Sequence, residues 1–169
     1  MKKNTPPKFQ EKIELTYEQY FRTRYGGMVQ LAGELERVLG REKALEIVGK
    51  ACEKGAVEST RKLMAEKGPI ENFEDFSALL KEELVSPFWS HALTCTFPEK
   101  TQKKIVLHVT ECLWAKTFRE MDATDIGYVM VCHPDFAMAQ AFHPKIKLRR
   151  TKTLMQGDTL CGHIYYWEE

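Results

Sequence analysis

The chain has 169 residues, of which 43% are hydrophobic and 29% charged, and its 25 Lys and Arg residues nearly balance 24 Asp and Glu residues. This length suits one domain with a substantial core, and the near-neutral charge excludes recruitment by nucleic acid or an anionic membrane through a global electrostatic field. The chain shows neither the apolar run of a secretion signal nor the ~20 apolar residues of a membrane span, so we expect a cytoplasmic protein whose partner is a small molecule.

Hydrophobic periodicity predicts helices in the first half of the chain. Apolar residues recur at helical spacing over 16–39 and 44–67, and a third stripe over 72–86 follows an Asn cap and ends before Pro87. Residues 1–15 precede these stripes and are expected to form a flexible N-terminal arm. The apolar helix faces permit a homodimer.

The period of the pattern changes in the second half. Apolar and polar residues alternate over 93–97 and 105–110 around a PEKTQ turn, which predicts a β-hairpin. Helical spacing returns over 111–142, with one or two short helices in its later part. A second hairpin follows, with strands over 146–155 and 160–167 around a Gln-Gly-Asp turn.

This order of elements predicts an α+β fold, in which N-terminal helices precede an antiparallel sheet of two hairpins with helices between them. We expect a single domain over 16–169. Its helical part spans 16–88 and its β-containing part spans 89–169. Helices should cover one face of the sheet.

Cysteines supply the first candidates for a functional site. Five of them are scattered through a chain without a secretion signal, which argues against disulfides. Two lie in apolar stripes and are interpreted as core residues, Cys52 and Cys95. The other three lie at the ends of predicted elements, where sites tend to gather: Cys112, Cys132 and Cys161.

Two further side chains extend this group. Asp135 follows Cys132 in the sequence CHPD, and His163 shares a strand face with Cys161 because strand side chains alternate. Such a set permits a zinc or other transition-metal site, with Cys112, Cys132 and Cys161 as ligands. It equally permits metal-free chemistry, in which a thiolate attacks an electrophilic carbon. The spacing matches no compact zinc motif, and both alternatives stay open.

A basic segment in the predicted third strand adds candidates for substrate binding. Alternation directs Arg150 and Lys152 to one face and Arg149 to the other. One of the first two side chains would hold a substrate carboxylate through charge-assisted hydrogen bonds. The competing interpretation is a solvated edge strand whose charges resist aggregation.

Residues 105–167 combine a cysteine after a strand, a later cysteine with a nearby aspartate, and a closing T-x-T-L-M-x-G-D-x-x-C pattern. The positions in this chain are Cys112, Cys132, Asp135, Thr151, Thr153, Leu154, Met155, Gly157, Asp158 and Cys161. This segment resembles the L-2-amino-thiazoline-4-carboxylic acid hydrolase family. The resemblance implies a hydrolase that opens a small cyclic C–N/C–S substrate, such as 2-amino-thiazoline-4-carboxylate, to N-carbamoyl-cysteine.

That reaction requires a nucleophile, a proton donor and a cation for the substrate carboxylate. Under the resemblance these roles fall to Cys132 or Cys161, to Asp135 with His163, and to Arg150 or Lys152. The alternative function is a non-catalytic module that binds a metal or a small ligand through the same cysteines.

Overall fold

The computed structural model describes residue 10 and residues 12–169. Helices form the first half of the described chain: α1 (Tyr17–Leu39), α2 (Arg41–Lys67), α3 (Phe73–Leu84) and α4 (Pro87–Ala92). Most of the arm expected over 1–15 lies outside the described residues. Within it, residues 12–15 have no regular secondary structure.

Local signals explain where these helices begin and end. Thr16 starts α1 with a capping box, and Asn72 does the same for α3. Gly40 separates α1 from α2 with a φ of 81°, a left-handed value that favours glycine. The third helix ends before Pro87, as predicted. Pro87 also begins α4, a helix that was not predicted, because the first position of a helix needs no backbone N–H donor.

The second half forms a four-stranded sheet from β1 (Leu93–Lys100), β2 (Lys104–Cys112), β3 (Ile146–Arg150) and β4 (Cys161–Trp167). The spatial order is β1-β2-β4-β3, and every neighbouring pair is antiparallel. The α+β prediction is therefore confirmed. β3 is an edge strand, and its Arg149 is exposed because it points to the face opposite Arg150.

The connection between β2 and β3 is helical. It contains α5 (Leu113–Glu120), α6 (Thr124–Gly127), one π-helical turn (Tyr128–Cys132) and α7 (Asp135–Phe142). π-helical turns are rare and are frequently found at functional sites. This one ends where the candidate residues of the CHPD sequence begin.

The second hairpin differs from its prediction. β3 ends at Arg150 rather than at residue 155, and the chain then forms a compact turn. The backbone N–H of Thr153 donates to Asp158 Oδ2 at 2.8 Å, and the N–H of Asp158 donates to the Thr153 carbonyl at 3.2 Å. Gly157 completes the turn with a φ of 95°. These local hydrogen bonds compete with the strand ladder and end it early.

The inward face of the sheet is buried beneath helices. Ile105, Leu107 and Val109 alternate along β2 on this face. Phe76 of α3 packs on Tyr165 of β4, with ring centroids 5.2 Å apart. No helix of the described chain is both long enough and apolar enough to cross a membrane.

Candidate functional site

The register of the sheet places Arg150 of β3 directly opposite His163 of β4. His163 is in turn opposite Leu107 of the central strand. Directly opposed residues in antiparallel strands share a face, so Arg150 and His163 both point toward the helices. The Arg150 side chain is only 3% exposed, although it belongs to an edge strand.

The Arg150 guanidinium connects three parts of the chain. Nη1 donates to Asp135 Oδ2 at 2.6 Å and lies 3.2 Å from His163 Nε2, and Nη2 donates to the Cys132 carbonyl at 2.5 Å. The carbon at its centre lies 5.0 Å from the centroid of the Phe136 ring. One buried cation therefore joins the π-helical turn, the start of α7 and the inward face of the sheet.

The charges of this group balance one another. Burial is the largest single effect and lowers the pKa of Arg150, but Asp135, Cys132 and Tyr128 together outweigh it, so the pKa is raised. Asp135 is the first residue of α7, where the helix dipole also stabilises a carboxylate. Its side chain is 29% exposed, so the anion of the pair reaches solvent while the cation does not.

The contact with Arg150 favours one tautomer of a neutral His163 ring, because a guanidinium can only donate. Nε2 faces a guanidinium N–H, so it acts as an acceptor and the ring proton resides on Nδ1. Asp135 Oδ2 is 3.6 Å from Nε2, too far for a hydrogen bond. Nδ1 is buried and has no hydrogen-bond partner among the described residues. The site therefore contains a buried N–H donor that is not used by the protein.

Two of the candidate thiols meet at one hydroxyl. Thr153 Oγ1 lies 3.9 Å from Cys132 Sγ and 3.7 Å from Cys161 Sγ. Leu154 N–H donates to Cys161 Sγ at 3.2 Å. The sequence pattern contained Thr153, but no role was assigned to it. Thr153 and Asp158 of that pattern were the signal from which this contact could have been predicted, because they form the turn that positions the Thr153 hydroxyl.

Burial keeps two of the thiols protonated. It raises the pKa of Cys132 to about 12, with a further increase from the Asp135 carboxylate and a smaller opposing effect of Arg150. Burial likewise raises the pKa of Cys112 to about 11. A thiolate, and not a thiol, is the attacking species, so this environment disfavours both residues as nucleophiles.

The proposed ligand set Cys112, Cys132 and Cys161 does not fit a metal ion. Within residues 12–169, no group of three or more His, Cys, Asp or Glu side chains is arranged to hold one. Cys112 Sγ instead accepts the N–H of Ala115 at 3.4 Å and caps α5.

The two predicted carboxylate-binding residues are placed differently. Arg150 joins Asp135 and His163, whereas Lys152 is exposed and its backbone carbonyl accepts the N–H of Gly162 at 3.2 Å.

Cys112 lines a separate open groove of about 390 Å³ between β1, β2 and α5. Asp135, Arg150 and His163 are not among the residues that line this groove.

The family model of L-2-amino-thiazoline-4-carboxylic acid hydrolase matches residues 20–165. No curated protein matches the sequence. Among solved structures, the chain is similar to the phenol-responsive sensory domain of the transcription activator PoxR, crystallised with phenol. The TM-score is 0.54 at 14% identity, over 93% of this chain and 77% of that one, a likeness of fold alone.

Proposed function

We propose that this chain, which belongs to the L-2-amino-thiazoline-4-carboxylic acid hydrolase family, hydrolyses a small cyclic amidine-type substrate. 2-Amino-thiazoline-4-carboxylate is the substrate that the family name indicates. The observation that carries the proposal is the contact of Asp135, Arg150 and His163 in one largely buried group. Such a group supplies proton transfer and charge stabilisation away from bulk water.

The reaction adds one water molecule and breaks one bond. The oxygen of water attacks the ring carbon that bears the exocyclic amine, the ring nitrogen and the sulfur. The ring carbon–nitrogen double bond becomes a single bond as one proton of the water passes to the ring nitrogen. The carbon–sulfur bond then breaks, and the sulfur leaves as a thiolate that takes up the second proton of the water. The carbon becomes the carbonyl of a ureido group, and the product is N-carbamoyl-cysteine.

Asp135 is the residue best placed to take a proton from the attacking water. Its carboxylate is 29% exposed, and Arg150 holds one of its oxygens at 2.6 Å. Asp135 is therefore the proposed general base for the attacking water. The buried Nδ1–H of His163 is the proposed donor to negative charge that develops on the substrate. Arg150 touches both side chains and acts as a positioning residue.

Cys161 offers a second route, in which a thiolate attacks the same ring carbon and water later releases the product. Its position on the inward face, two residues before His163 on β4, supports this alternative. Cys132 is a weaker candidate, since burial raises the pKa of its thiol to about 12. The two routes predict opposite results for Cys161→Ser.

Turnover of 2-amino-thiazoline-4-carboxylate tests the proposal directly, because each reaction releases a thiol that a chromogenic reagent detects. Asp135→Asn should lower kcat by about 10²–10⁴-fold, the usual contribution of a general base. Cys161→Ser should keep turnover within a few-fold if water attacks directly, and should abolish it if the thiol does. Arg149→Ala, on the opposite face of β3, is the matched control for an exposed charge. Wild-type turnover in folded Asp135→Asn would refute the role of Asp135.

A non-catalytic ligand-binding module is the second candidate function. The similarity in fold to a phenol-responsive sensory domain supports it. In that case the thiazoline would bind saturably without release of thiol, and Asp135→Asn would change affinity alone. Calorimetry beside the turnover assay separates the two functions.

A further inference from the structure

We infer that the site recognises a cationic amidine group through Asp135, and that Arg150 does not bind the carboxylate of the substrate. The inference rests on the proposed function, because that function identifies the thiazoline ring as the ligand. It concerns recognition, however, and it can be tested by binding whether or not turnover occurs. It replaces the carboxylate-binding role that strand alternation suggested for Arg150.

The surroundings of Arg150 argue against that role. Its side chain is 3% exposed, and its charge is already paired with Asp135 at 2.6 Å. Nη2 is directed at the Cys132 carbonyl at 2.5 Å, and the Phe136 ring lies 5.0 Å from the guanidinium carbon. A substrate carboxylate would have to displace Asp135, which would leave that anion without its partner.

Asp135 presents the complementary case. A carboxylate has about four lone-pair positions on two oxygens. Among the described residues, the hydrogen bond to its side chain is the one that Oδ2 accepts from Arg150, so Oδ1 has no such partner there. The side chain is also the most exposed of the three that form the group. A ligand that approaches from solvent therefore meets a negative oxygen before it meets the guanidinium.

His163 provides an independent sign that a ligand belongs here. Its side chain is 9% exposed, yet its Nδ1–H has no hydrogen-bond partner among the described residues. A buried donor without a partner is unfavourable, so an acceptor atom that reaches it would gain affinity. A cyclic isothiourea offers both halves of this match. Its protonated amidine N–H groups suit Asp135, and its sulfur or a developing oxyanion suits His163.

This mode of recognition also orients the reaction. If the exocyclic amine donates to one lone pair of Asp135 Oδ1, the second lone pair of that oxygen can hold the attacking water. The water then lies beside the ring carbon that carries the amine. Binding and proton transfer would use the same carboxylate, which Arg150 holds in place.

The test compares two probes that each carry half of the substrate. 2-Amino-2-thiazoline has the amidine without the carboxylate, and thiazolidine-4-carboxylate has the carboxylate without the amidine. Calorimetric titration of the wild-type protein should give tighter binding of the amidine probe. Asp135→Asn should weaken that binding by about tenfold or more, the usual effect of losing a charge-assisted hydrogen bond. Arg149→Ala, which removes an exposed charge on the opposite face of β3, should leave it unchanged.

Equal or tighter binding of the carboxylate probe would overturn the inference, and so would failure of both probes to bind at millimolar concentration. Unchanged amidine affinity in folded Asp135→Asn would overturn it as well. If that variant does not fold, the wild-type comparison of the two probes decides the question. Amidine binding without thiol release from the full substrate would uphold the inference and refute the hydrolase proposal.

Discussion

Removal of the Asp135 carboxylate should destabilise the whole fold, because it leaves the Arg150 charge buried. Arg150 is 3% exposed, and in Asp135→Ala it loses an anion at 2.6 Å while it keeps the Cys132 carbonyl. Loss of one partner from a buried ion pair costs roughly 3–5 kcal/mol. Asp135 is 29% exposed, so water can partly replace it and the lower end, about 3 kcal/mol, is expected. The corresponding fall in Tm is about 6–12 °C.

Urea unfolding followed by tryptophan fluorescence measures this change. The double variant Asp135→Ala/Arg150→Met removes both charges and fills the space with an apolar side chain, so it should recover most of the lost free energy of unfolding. The matched control is Arg37→Ala. It breaks the Arg37–Glu34 pair, whose side chains are 72% and 67% exposed, and should change the free energy of unfolding by no more than about 0.5 kcal/mol.

Two results would refute this reasoning. If Asp135→Ala unfolds within about 0.5 kcal/mol of wild type, as a surface substitution does, then the buried guanidinium does not depend on its partner. If the double variant is no more stable than Asp135→Ala, the penalty comes from lost packing at Asp135 and not from the unpaired charge of Arg150.

Two further predictions concern stability. Burial raises the pKa of Cys132 from 9.0 to about 12. The unfolded chain therefore loses this proton first as pH rises, and this thiol should lower the free energy of unfolding by about 1.4 kcal/mol for each pH unit between about 9 and about 12. In Cys132→Ala, the free energy of unfolding measured with urea should fall less steeply between about pH 8 and pH 10 than in wild type. An equal slope in the two proteins would contradict the raised pKa of Cys132. Gly127→Ala would place its Cβ 2.5 Å from Phe118 Cγ and 2.8 Å from Met155 Sδ, and should lower the Tm measurably. In Gly55→Ala of α2, by contrast, the new Cβ meets no atom within 4 Å and should stabilise the fold.

Local sequence signals were sufficient for most of the elements, although not for α4, and for the face to which Arg150 points. Helical spacing predicted α1, and helical spacing with the Asn72 cap predicted α3, because these signals act within one turn. Alternation placed Arg150 on the inward face because that face is set by a period of two. The end of β3 could not be read in this way, since Thr153 and Asp158 end the strand through hydrogen bonds that no hydrophobic pattern records.

The site itself depends on packing between distant elements. Asp135 and Arg150 are fifteen positions apart, and their contact requires the start of α7 to lie against an edge strand. Sequence patterns predict the helix and the strand, but not the distance between them. The tautomer of His163 depends on the same contact, because its Nε2 becomes an acceptor only when a guanidinium N–H is beside it.

The buried guanidinium also explains why the cysteines behave differently from the ligand set that their spacing suggested. A soft-metal site needs deprotonated thiols around a cation. Here Arg150 already places a fixed positive charge beside Cys132 and pairs it with Asp135, so the charge of the site is satisfied without thiolates. The Cys132 thiol can then stay protonated against Thr153, in agreement with the increase in its pKa. The exposed charge that remains is the carboxylate of Asp135, and for this reason a cationic ligand suits the site better than an anionic one.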